Sequence, residues 1–568
     1  MLRMVLLCGV LGVVFCPITR GDEPVARLLA HAPRDADAVV VVRSVVDLAA
    51  GIAAFGRGSG IDDLADVEPG GLLDTVDLLG NRAGLNVGGP LVVALSAGQP
   101  GPLVVCELRD ARAWLEAAEA VPLEAGYYAV ELAGARAYAA LAGKVLMLGH
   151  DEQAVESAAR RATGAGEQWP ARFREWLSAD QAVVLVRVRS WAPLALPVLG
   201  AVEASMQMGA AVSGSGDEAA LEMVRWCFAQ AREVLGQAEM GMLGVRVGRD
   251  GLRVRKALTF TAGGTVAEYL RTITRTKRDS LRGLPDDPGL LVMAFEWEAP
   301  AGAKSLGSRM LDVLLRNERI KERVGSAAFE QAYQAIMQMQ DGLSGYNVLV
   351  GLAVPEQVMA VDCVYFTNQP QALLDNMRRA YATDPEFLGA FAAGGTMSVD
   401  CRTDEVEGRT AQVFELSFET ADEQARRMIE ALYGRKMTMY GVAREQDVVF
   451  ASGPAAQARA RLSRLLRGVG TPLAENRRVG AARGAISPDP QVLLLVDVPK
   501  LFEFAVRMAQ TIGGPMPRLE IPRVEAPLVS SGVYLDADAL RIELFVPAEP
   551  IRVVVDTLER AKRGAGDY

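Results

Sequence analysis

The sequence contains only two histidines, which restricts nucleophilic and metal chemistry more than any motif that is present. A catalytic triad uses histidine as its base, and protein zinc sites usually need histidines or paired cysteines. His31 precedes a β-branched run, and His150 lies beside Asp151 in a turn before an amphipathic stretch. An internal copy of that turn ends at Pro454 and contains neither histidine nor an acid. We therefore interpret His150 and Asp151 as turn and helix-capping residues.

The glycine cluster Gly56–Gly60 comes nearest to a phosphate-binding loop. A dinucleotide fingerprint requires a strand, a glycine-rich turn and then a helix whose N-terminus faces the phosphates. This cluster follows a helical stretch, and no helix opens directly on it. We predict a flexible loop without a phosphate-binding role. The sequence also lacks a Walker lysine pattern and a nucleophile-elbow motif.

Carboxylate clusters could perform acid–base chemistry or bind calcium. One cluster comprises Asp62, Asp63 and Asp66, and a second, ending at Gly408, comprises Asp400, Asp404, Glu405 and Glu407. Neither has the alternating spacing of a calcium loop, and the second is interpreted as a polar hairpin loop between two predicted strands. Distant carboxylates can still meet in a fold, as in glycosidases. A hydrolase that uses Asp62, Asp63, Asp400 and Asp404 is therefore one functional hypothesis.

Sulfur-containing residues allow two further interpretations. Methionines are concentrated in two regions, at Met206, Met208, Met223, Met240 and Met242, and at Met310, Met337 and Met339. Flexible thioethers suit either an adaptable apolar groove or an ordinary helix core, and we favour the core. The irregular spacing argues against copper binding. We assign no catalytic, cofactor-binding or metal-ligating residue and expect no cofactor.

Four cysteines follow the N-terminal region, and they lie far apart within apolar predicted strands or a helix: Cys106, Cys227, Cys363 and Cys401. No Cys-x-x-Cys pair exists, so zinc-ribbon and thioredoxin-like sites are excluded. Disulfides and buried free thiols both remain open for an exported chain.

The composition is that of a globular protein with about two to four domains. Its 568 residues are 50% hydrophobic and 23% charged, with a net charge of −10. This acidic balance argues against nucleic acid and against an anionic membrane surface as partners. One basic stretch, Arg477-Arg478 with Arg483, has no interleaved aromatic residues, and we predict a solvated loop there.

The N-terminal residues have the pattern of a secretory signal peptide. After a basic residue comes the unbroken apolar run Met4–Cys16, and small residues stand three positions and one position before Asp22. We predict a signal peptide at residues 1–21, cleaved before Asp22, and a mature chain that is soluble in the periplasm or outside the cell. The run is shorter than the ~20 residues that span a bilayer. Lipidation of Cys16 is disfavoured because the bulky Phe15 precedes it, and no later segment is expected to cross a membrane.

Internal repeats dominate the rest of the chain. A turn containing proline or aspartate leads four times into an apolar run, predicted as the strands Val39–Val42, Val183–Val188, Leu290–Phe295 and Val492–Val496. After each, a hairpin is followed by an amphipathic helix, with the four helices starting near Asp110, Thr265, Gln369 and Glu549.

A shorter hairpin and helix occur twice, each between two of these larger units. The predicted helices are Glu152–Ala162 and Ala455–Leu466. The order predicts an α+β fold made by tandem duplication, with mostly antiparallel sheets and helices packed on one face. We place the first half at residues 22–278 and the second at 279–568. The second half carries an additional predicted strand and helix at Met397–Leu432.

The lead-in Asp35–Val42 and the hairpin–helix phrase Tyr138–Ala162 resemble a family of exported bacterial proteins defined by the domain of unknown function three-three-five-two. The resemblance extends over most of the mature chain and rests on hydrophobic patterns. It implies export and repeated α+β units, and it implies no activity, cofactor or site residue.

The sequence has repeated α+β units but no group of residues with the types and spacing of an active site. This combination favours a non-enzymatic cell-envelope protein. Such a protein would bind a protein partner or an apolar ligand on its repeated sheets. The first alternative is a periplasmic carrier or chaperone for lipid, apolar ligands or unfolded chains, and it requires a groove or cavity between helices and sheet. The second alternative is the carboxylate-dependent hydrolase.

Overall fold

The computed structural model describes most of the chain beyond the predicted signal peptide, which lies outside the described residues. The described residues are 22–33, 36–74, 82–96, 99, 101–124, 126–132, 134–160, 170–212, 218–273, 281–296, 331, 334–335, 338–339, 342–353, 358–381, 396–420, 423–468, 472–511, 519, 521–522 and 524–565. Among them, no helix is long and apolar enough to cross a membrane.

Antiparallel hairpins and helices both occur along the described chain, as in an α+β fold. The strands are β1 Ala38–Val42, β2 Leu91–Leu95, β3 Leu103–Glu107, β4 Val121–Glu124, β5 Tyr127–Leu132, β6 Ala135–Ala142, β7 Val145–Gly149, β8 Ala182–Arg187, β9 Ala238–Gly248, β10 Gly251–Phe260, β11 Leu291–Glu296, β12 Leu343–Leu352, β13 Met359–Thr367, β14 Thr396–Val406, β15 Arg409–Glu419, β16 Lys436–Ala443, β17 Asp447–Gly453, β18 Val492–Val496, β19 Val529–Asp536 and β20 Ala539–Pro547. The α-helices are α1 Asp22–Leu29, α2 Val45–Ser59, α3 Asp62–Ala65, α4 Pro69–Asp74, α5 Ala111–Ala117, α6 Glu152–Arg160, α7 Ala171–Ala179, α8 Val188–Val212, α9 Glu218–Gln237, α10 Thr265–Thr272, α11 Pro370–Tyr381, α12 Glu423–Tyr433, α13 Ala455–Arg467, α14 Arg477–Gly484, α15 Val498–Thr511 and α16 Ala548–Ala565.

The chain forms two compact units that do not follow its two halves. Unit 1 takes residues 1–195, 235–264 and 538–555, and unit 2 takes 196–234, 265–537 and 556–568. In unit 1 the antiparallel strand order is β20-β10-β9-β8-β1-β2-β3-β7-β6-β5-β4. In unit 2 it is β19-β18-β11-β12-β13-β17-β16-β15-β14.

These two orders contain the same topology twice. Each strand from β11 to β19 occupies the place of the strand numbered ten lower, so the order 9-8-1-2-3-7-6-5-4 is repeated. The repeated order supports a duplication of an antiparallel α+β unit. Strand β20 pairs with β10 within unit 1, from Gly251 opposite Pro547 to Thr259 opposite Ala539. The predicted division at residues 278 and 279 falls beside undescribed residues and stays a prediction.

Helices cover both faces of the central strands, whereas the sequence pattern predicts one covered face. In β1, Val40 and Val42 pack in the cluster that contains Ile52 of α2. The alternate residues Val39 and Val41 belong to a second cluster with helices α1, α6 and α7. Side chains alternate between the faces of a strand, so a strand that is apolar at every position is buried on both.

Unit 2 is built in the same way around β17. Val449 packs against Leu462 of α13 on one face. Phe450 packs with Leu374 of α11 on the other face. The α+β class and the antiparallel pairing are thus confirmed, and the covered second face is the correction.

The second half has fewer extra elements than its sequence suggests. Strands β14 and β15, predicted as part of an addition at Met397–Leu432, have counterparts in β4 and β5 of the first half. Every residue of β4 is exposed, and its four residues include Pro122, which weakens the sequence signal for a strand. Helix α12 is the element for which the described first half has no counterpart.

Two predicted loops are helical. The cluster Gly56–Gly60 forms the last turn of α2 and its left-handed cap at Gly60, with φ of 74°. A Cβ atom at Gly56 would overlap the backbone nitrogen of Ala65 and lie 2.8 Å from its Cα, so glycine permits the close approach of α3. The basic stretch at Arg477 is helix α14, which begins at the Asn476 cap. In both cases tertiary packing overrides the local loop signals.

Candidate functional site

The two histidines hold loops and helices in place. His31 is buried, and its Nδ1 donates to the Ala158 carbonyl oxygen at 2.9 Å. His150 is exposed, and its Nδ1 donates to the Arg136 carbonyl oxygen at 3.0 Å. Asp151 accepts a hydrogen bond from the Ala154 amide at 3.2 Å at the start of α6, which confirms the predicted capping role.

The acidic clusters belong to different units, so the structure does not bring them together within one compact unit. Asp62 and Asp63 lie in α3, and Asp66 follows that helix. Asp400, Asp404 and Glu405 lie on β14, so the predicted hairpin loop is wrong except at its tip. There Glu407 and Gly408 form the turn at φ values of 52° and 70°. No group of three or more His, Cys, Asp or Glu in the described part of the chain is arranged to hold a metal ion.

Ion pairs with α13 lower the pKa of the carboxyls at this tip. The amide of Glu405 and the guanidinium of Arg459 hold the pKa of Asp404 below its usual range. Ser463 and Arg467 do the same for Glu407. These carboxylates are ionised partners of a helix, which is a structural role.

The sequence leaves disulfides and free thiols open, and in the structure all four cysteines are free thiols. Burial, with a smaller contribution from Glu107, raises the pKa of Cys106 to about 12. Burial likewise raises the pKa of Cys363 to about 12. Cys227 is exposed on α9. The thiols of Cys106 and Cys363 are therefore weak nucleophiles, because the thiolate is the reactive form.

The methionines divide between the core and the surface. Met242 is buried, and Met339 packs against the core beside α11, as the core interpretation predicts. Met206 and Met208 on α8 are 55% and 64% exposed, so the interpretation is wrong for them. The remaining members of the two groups whose side chains are not described are Met223, Met310 and Met337.

A cleft of about 380 Å³ lies in unit 2 between α12, α15 and the residue that precedes β13. Its lining combines an apolar set and a polar set: Val358, Ala431, Phe504 and Met508, with Arg427, Glu430, Arg507 and Thr511. Its size lies within the range of small-molecule sites, ~300–1,000 Å³. The cleft lies between two helices, and Val358 beside the sheet closes one side of it.

Helix α15 is fixed so that one face forms a wall of the cleft. Asp497 caps its first turn, accepting from the Lys500 amide at 3.2 Å. The same carboxylate accepts from Arg478 Nη2 at 2.8 Å, and Arg478 is 16% exposed. Phe504 and Met508 are four residues apart, so they stand on the same face of the helix.

The arginines at the rim of the cleft form ion pairs with glutamates on their own helices. Arg427 Nε donates to Glu423 at 2.9 Å, and Arg507 pairs with Glu503. Within the described residues, the guanidinium groups of Arg427 and Arg507 make no other hydrogen bond. Exposed ion pairs contribute little to stability, so these guanidinium groups can redirect donors to a ligand at small cost.

One feature of the sequence indicated part of this cleft, and no feature indicated its other lining residues. The unequal halves pointed to Met397–Leu432, which contains all of α12 except its last residue. The partners Phe504 and Arg507 come from α15, and no local pattern indicates that α12 and α15 pack together.

Comparisons with known proteins add a weak similarity. No protein family and no curated protein matches the chain. Crystal forms IV and III of TP0453 share 11% and 12% identity with 49% of this chain, cover 96% and 98% of their own chains, and have TM-scores of 0.21. Crystal form I shares 11% identity over 50% of this chain and 98% of its own, with a TM-score of 0.20. At these TM-scores the similarity carries no inference about fold or function.

Proposed function

We propose that this protein is an exported, non-enzymatic binding protein that holds a small amphipathic ligand in the cleft between α12 and α15. The apolar part of the ligand packs on Phe504 and Met508. Its polar end lies at the rim beside Arg427 and Arg507, whose remaining N–H groups act as donors.

The observation that carries this proposal is the origin of α12. A duplication produces two similar units, and a function confined to one of them requires an element that the other lacks. Helix α12 is such an element, and it forms one wall of the cleft. Export is supported by the N-terminal sequence pattern and by the family resemblance. The non-enzymatic assignment is supported by the cleft lining, in which the carboxylate of Glu430 forms an ion pair with Arg426 at 3.4 Å.

A fluorescent amphipathic anion, anilinonaphthalene sulfonate, tests the proposal on the mature chain. Ala431→Trp fills the cleft, and Ala505→Trp is the matched control because Ala505 is exposed on α15 and does not line it. We expect the first variant to weaken probe binding by about tenfold or more and the control to bind like the parent protein. Equal binding by the parent protein and Ala431→Trp contradicts the proposal.

A protein partner is the second candidate. It is favoured by three apolar side chains on α8, Val198, Val202 and Met206, which are spaced four residues apart and are 57%, 45% and 55% exposed. A photocrosslinker at position 202 should capture one defined envelope protein, and a crosslinker at the exposed Arg112 should not. The hydrolase hypothesis stays a prediction, tested by alanine at Asp62, Asp63, Asp400 and Asp404.

A further inference from the structure

Helix α8 presents an uncharged face to solvent over about three turns. Its large apolar side chains Val198, Val202 and Met206 are exposed, and they form one ridge because they are four residues apart. The residues of the neighbouring row have shorter side chains and are exposed as well: Pro197, Ala201 and Ser205. A shallow groove therefore runs alongside this α8 ridge.

The charged residue nearest to the α8 ridge is engaged away from it. Glu203 is the only Asp, Glu, Lys or Arg in the sequence between positions 190 and 212. One of its oxygens pairs with Arg232 of α9, and the other accepts from Gln207 Nε2 at 3.2 Å. The side chain of Glu203 is 13% exposed. The ridge and its groove thus present no charge that a partner would have to neutralise.

The absence of charge favours a second copy of the chain as the occupant of this face. The chain has a net charge of −10, so two copies approach each other with least repulsion through an uncharged surface. A lipid surface suits the face less well. Helices that lie on lipid carry Lys or Arg on their polar face, and the sequence has neither residue from position 190 to position 212.

We infer that the protein forms a symmetric dimer through the α8 ridge. This dimer rests on the second candidate function, an interaction surface on α8, and makes a second copy of the chain its partner. A twofold axis at Val202 places this side chain against its own counterpart and Val198 against Met206 of the second copy, because isologous contacts are reciprocal. The ridge of each copy then lies in the groove of the other, as in helix pairs whose rows of every fourth residue interdigitate.

Disulfide trapping tests the centre of this contact. Cys227→Ser first removes the exposed native thiol, and Val202→Cys in that background should form a disulfide-linked dimer under air oxidation. A residue on a twofold axis meets its own counterpart, so it can crosslink to itself. Arg112→Cys, at an exposed position on α5, is the matched control and should remain a single chain on a non-reducing gel. Equal trapping at both positions, or none at position 202, overturns the inference.

Light scattering after size-exclusion chromatography measures the mass of the mature chain with its native residues. We expect twice the mass of one chain. Val202→Glu should weaken self-association by about a hundredfold or more because it brings two carboxylates together at the axis. Val121→Glu, at a valine that is 59% exposed on β4, should dimerise like the parent protein. A monomeric parent protein, or a Val202→Glu variant that stays dimeric, overturns the inference.

Two further measurements distinguish the dimer from other occupants and from the cleft. If the photocrosslinker at position 202 captures a different envelope protein and no second copy, the dimer is refuted and the interaction surface on α8 stands. Binding of a monomeric chain to neutral phosphatidylcholine vesicles would also refute it and identify a lipid-binding face. Binding of anilinonaphthalene sulfonate should be equal in the parent protein and Val202→Glu, so a failure of the cleft proposal leaves the dimer unaffected.

Discussion

Replacement of Gly244 by alanine should destabilise unit 1 more than a glycine-to-alanine change in a strand normally does. Gly244 lies on β9 between Val183 of β8 and Arg255 of β10. A Cβ atom there would overlap Asp180 Oδ2 and lie 3.0 Å from Trp176 Cε3. The ion pair between Asp180 and Arg255 therefore occupies the space that a side chain at position 244 would need.

The size of the expected loss of stability depends on the groups that the new Cβ atom would displace. Arg255 stacks on Trp176 at 4.9 Å from the ring centre and is 13% exposed, so the pair has little room to shift. Separation of a buried ion pair costs ~3–5 kcal/mol, and alanine in a strand gains ~0.5–1 kcal/mol over glycine. We expect Gly244→Ala to lower the free energy of unfolding by about 2–4 kcal/mol.

Urea unfolding, followed by far-UV circular dichroism, measures this difference. Gly241→Ala is the matched control on the same strand, because its Cβ would lie 3.5 Å from Val188 Cγ2, an ordinary contact. The control should be neutral or slightly stabilising. In an Asp180→Ala background, where the obstructing carboxylate is gone, Gly244→Ala should cost much less. Equal stability of the Gly244 and Gly241 variants would refute the reasoning.

Three further predictions concern thiols and a second ion pair. In the native protein Cys227 should react with Ellman's reagent at once, and Cys106 and Cys363 only after unfolding; Cys227→Ser should remove the fast phase. Because the folded pKa of Cys106 is raised from 9.0 to about 12, its contribution to stability is complete below pH 9 and is lost as the pH rises towards 12, by about 1.4 kcal/mol per pH unit. Cys106→Ala should lack that slope in alkaline urea titrations, and an identical slope would contradict the assignment. Arg461→Met should destabilise unit 2 by ~3–5 kcal/mol because it leaves Asp362, 3% exposed, without its partner. Adding Asp362→Leu should restore most of the loss, and denaturation of both variants measures it.

Continuous apolar runs made the central strands predictable. The strand Val492–Val496 is predicted to the residue, because a short unbroken run of valine and leucine after a proline-containing turn indicates a strand. Strand β4 was missed because all of its residues are exposed, and only pairing with β5 defines it. The cluster Gly56–Gly60 was misread because its glycines serve a close approach by a neighbouring helix.

The cleft was harder to predict because its parts meet through tertiary contacts. Ala431 and Phe504 become neighbours only through the packing of α12 on α15.

The position of β20 has a consequence for the order in which the chain can fold. Strand β10 obtains its outer neighbour only after the whole second repeat has been synthesised. Until then β10 would present an open edge, the kind of surface on which strands of other chains add. Loss of the segment Ala539–Pro547 should therefore promote aggregation through unit 1.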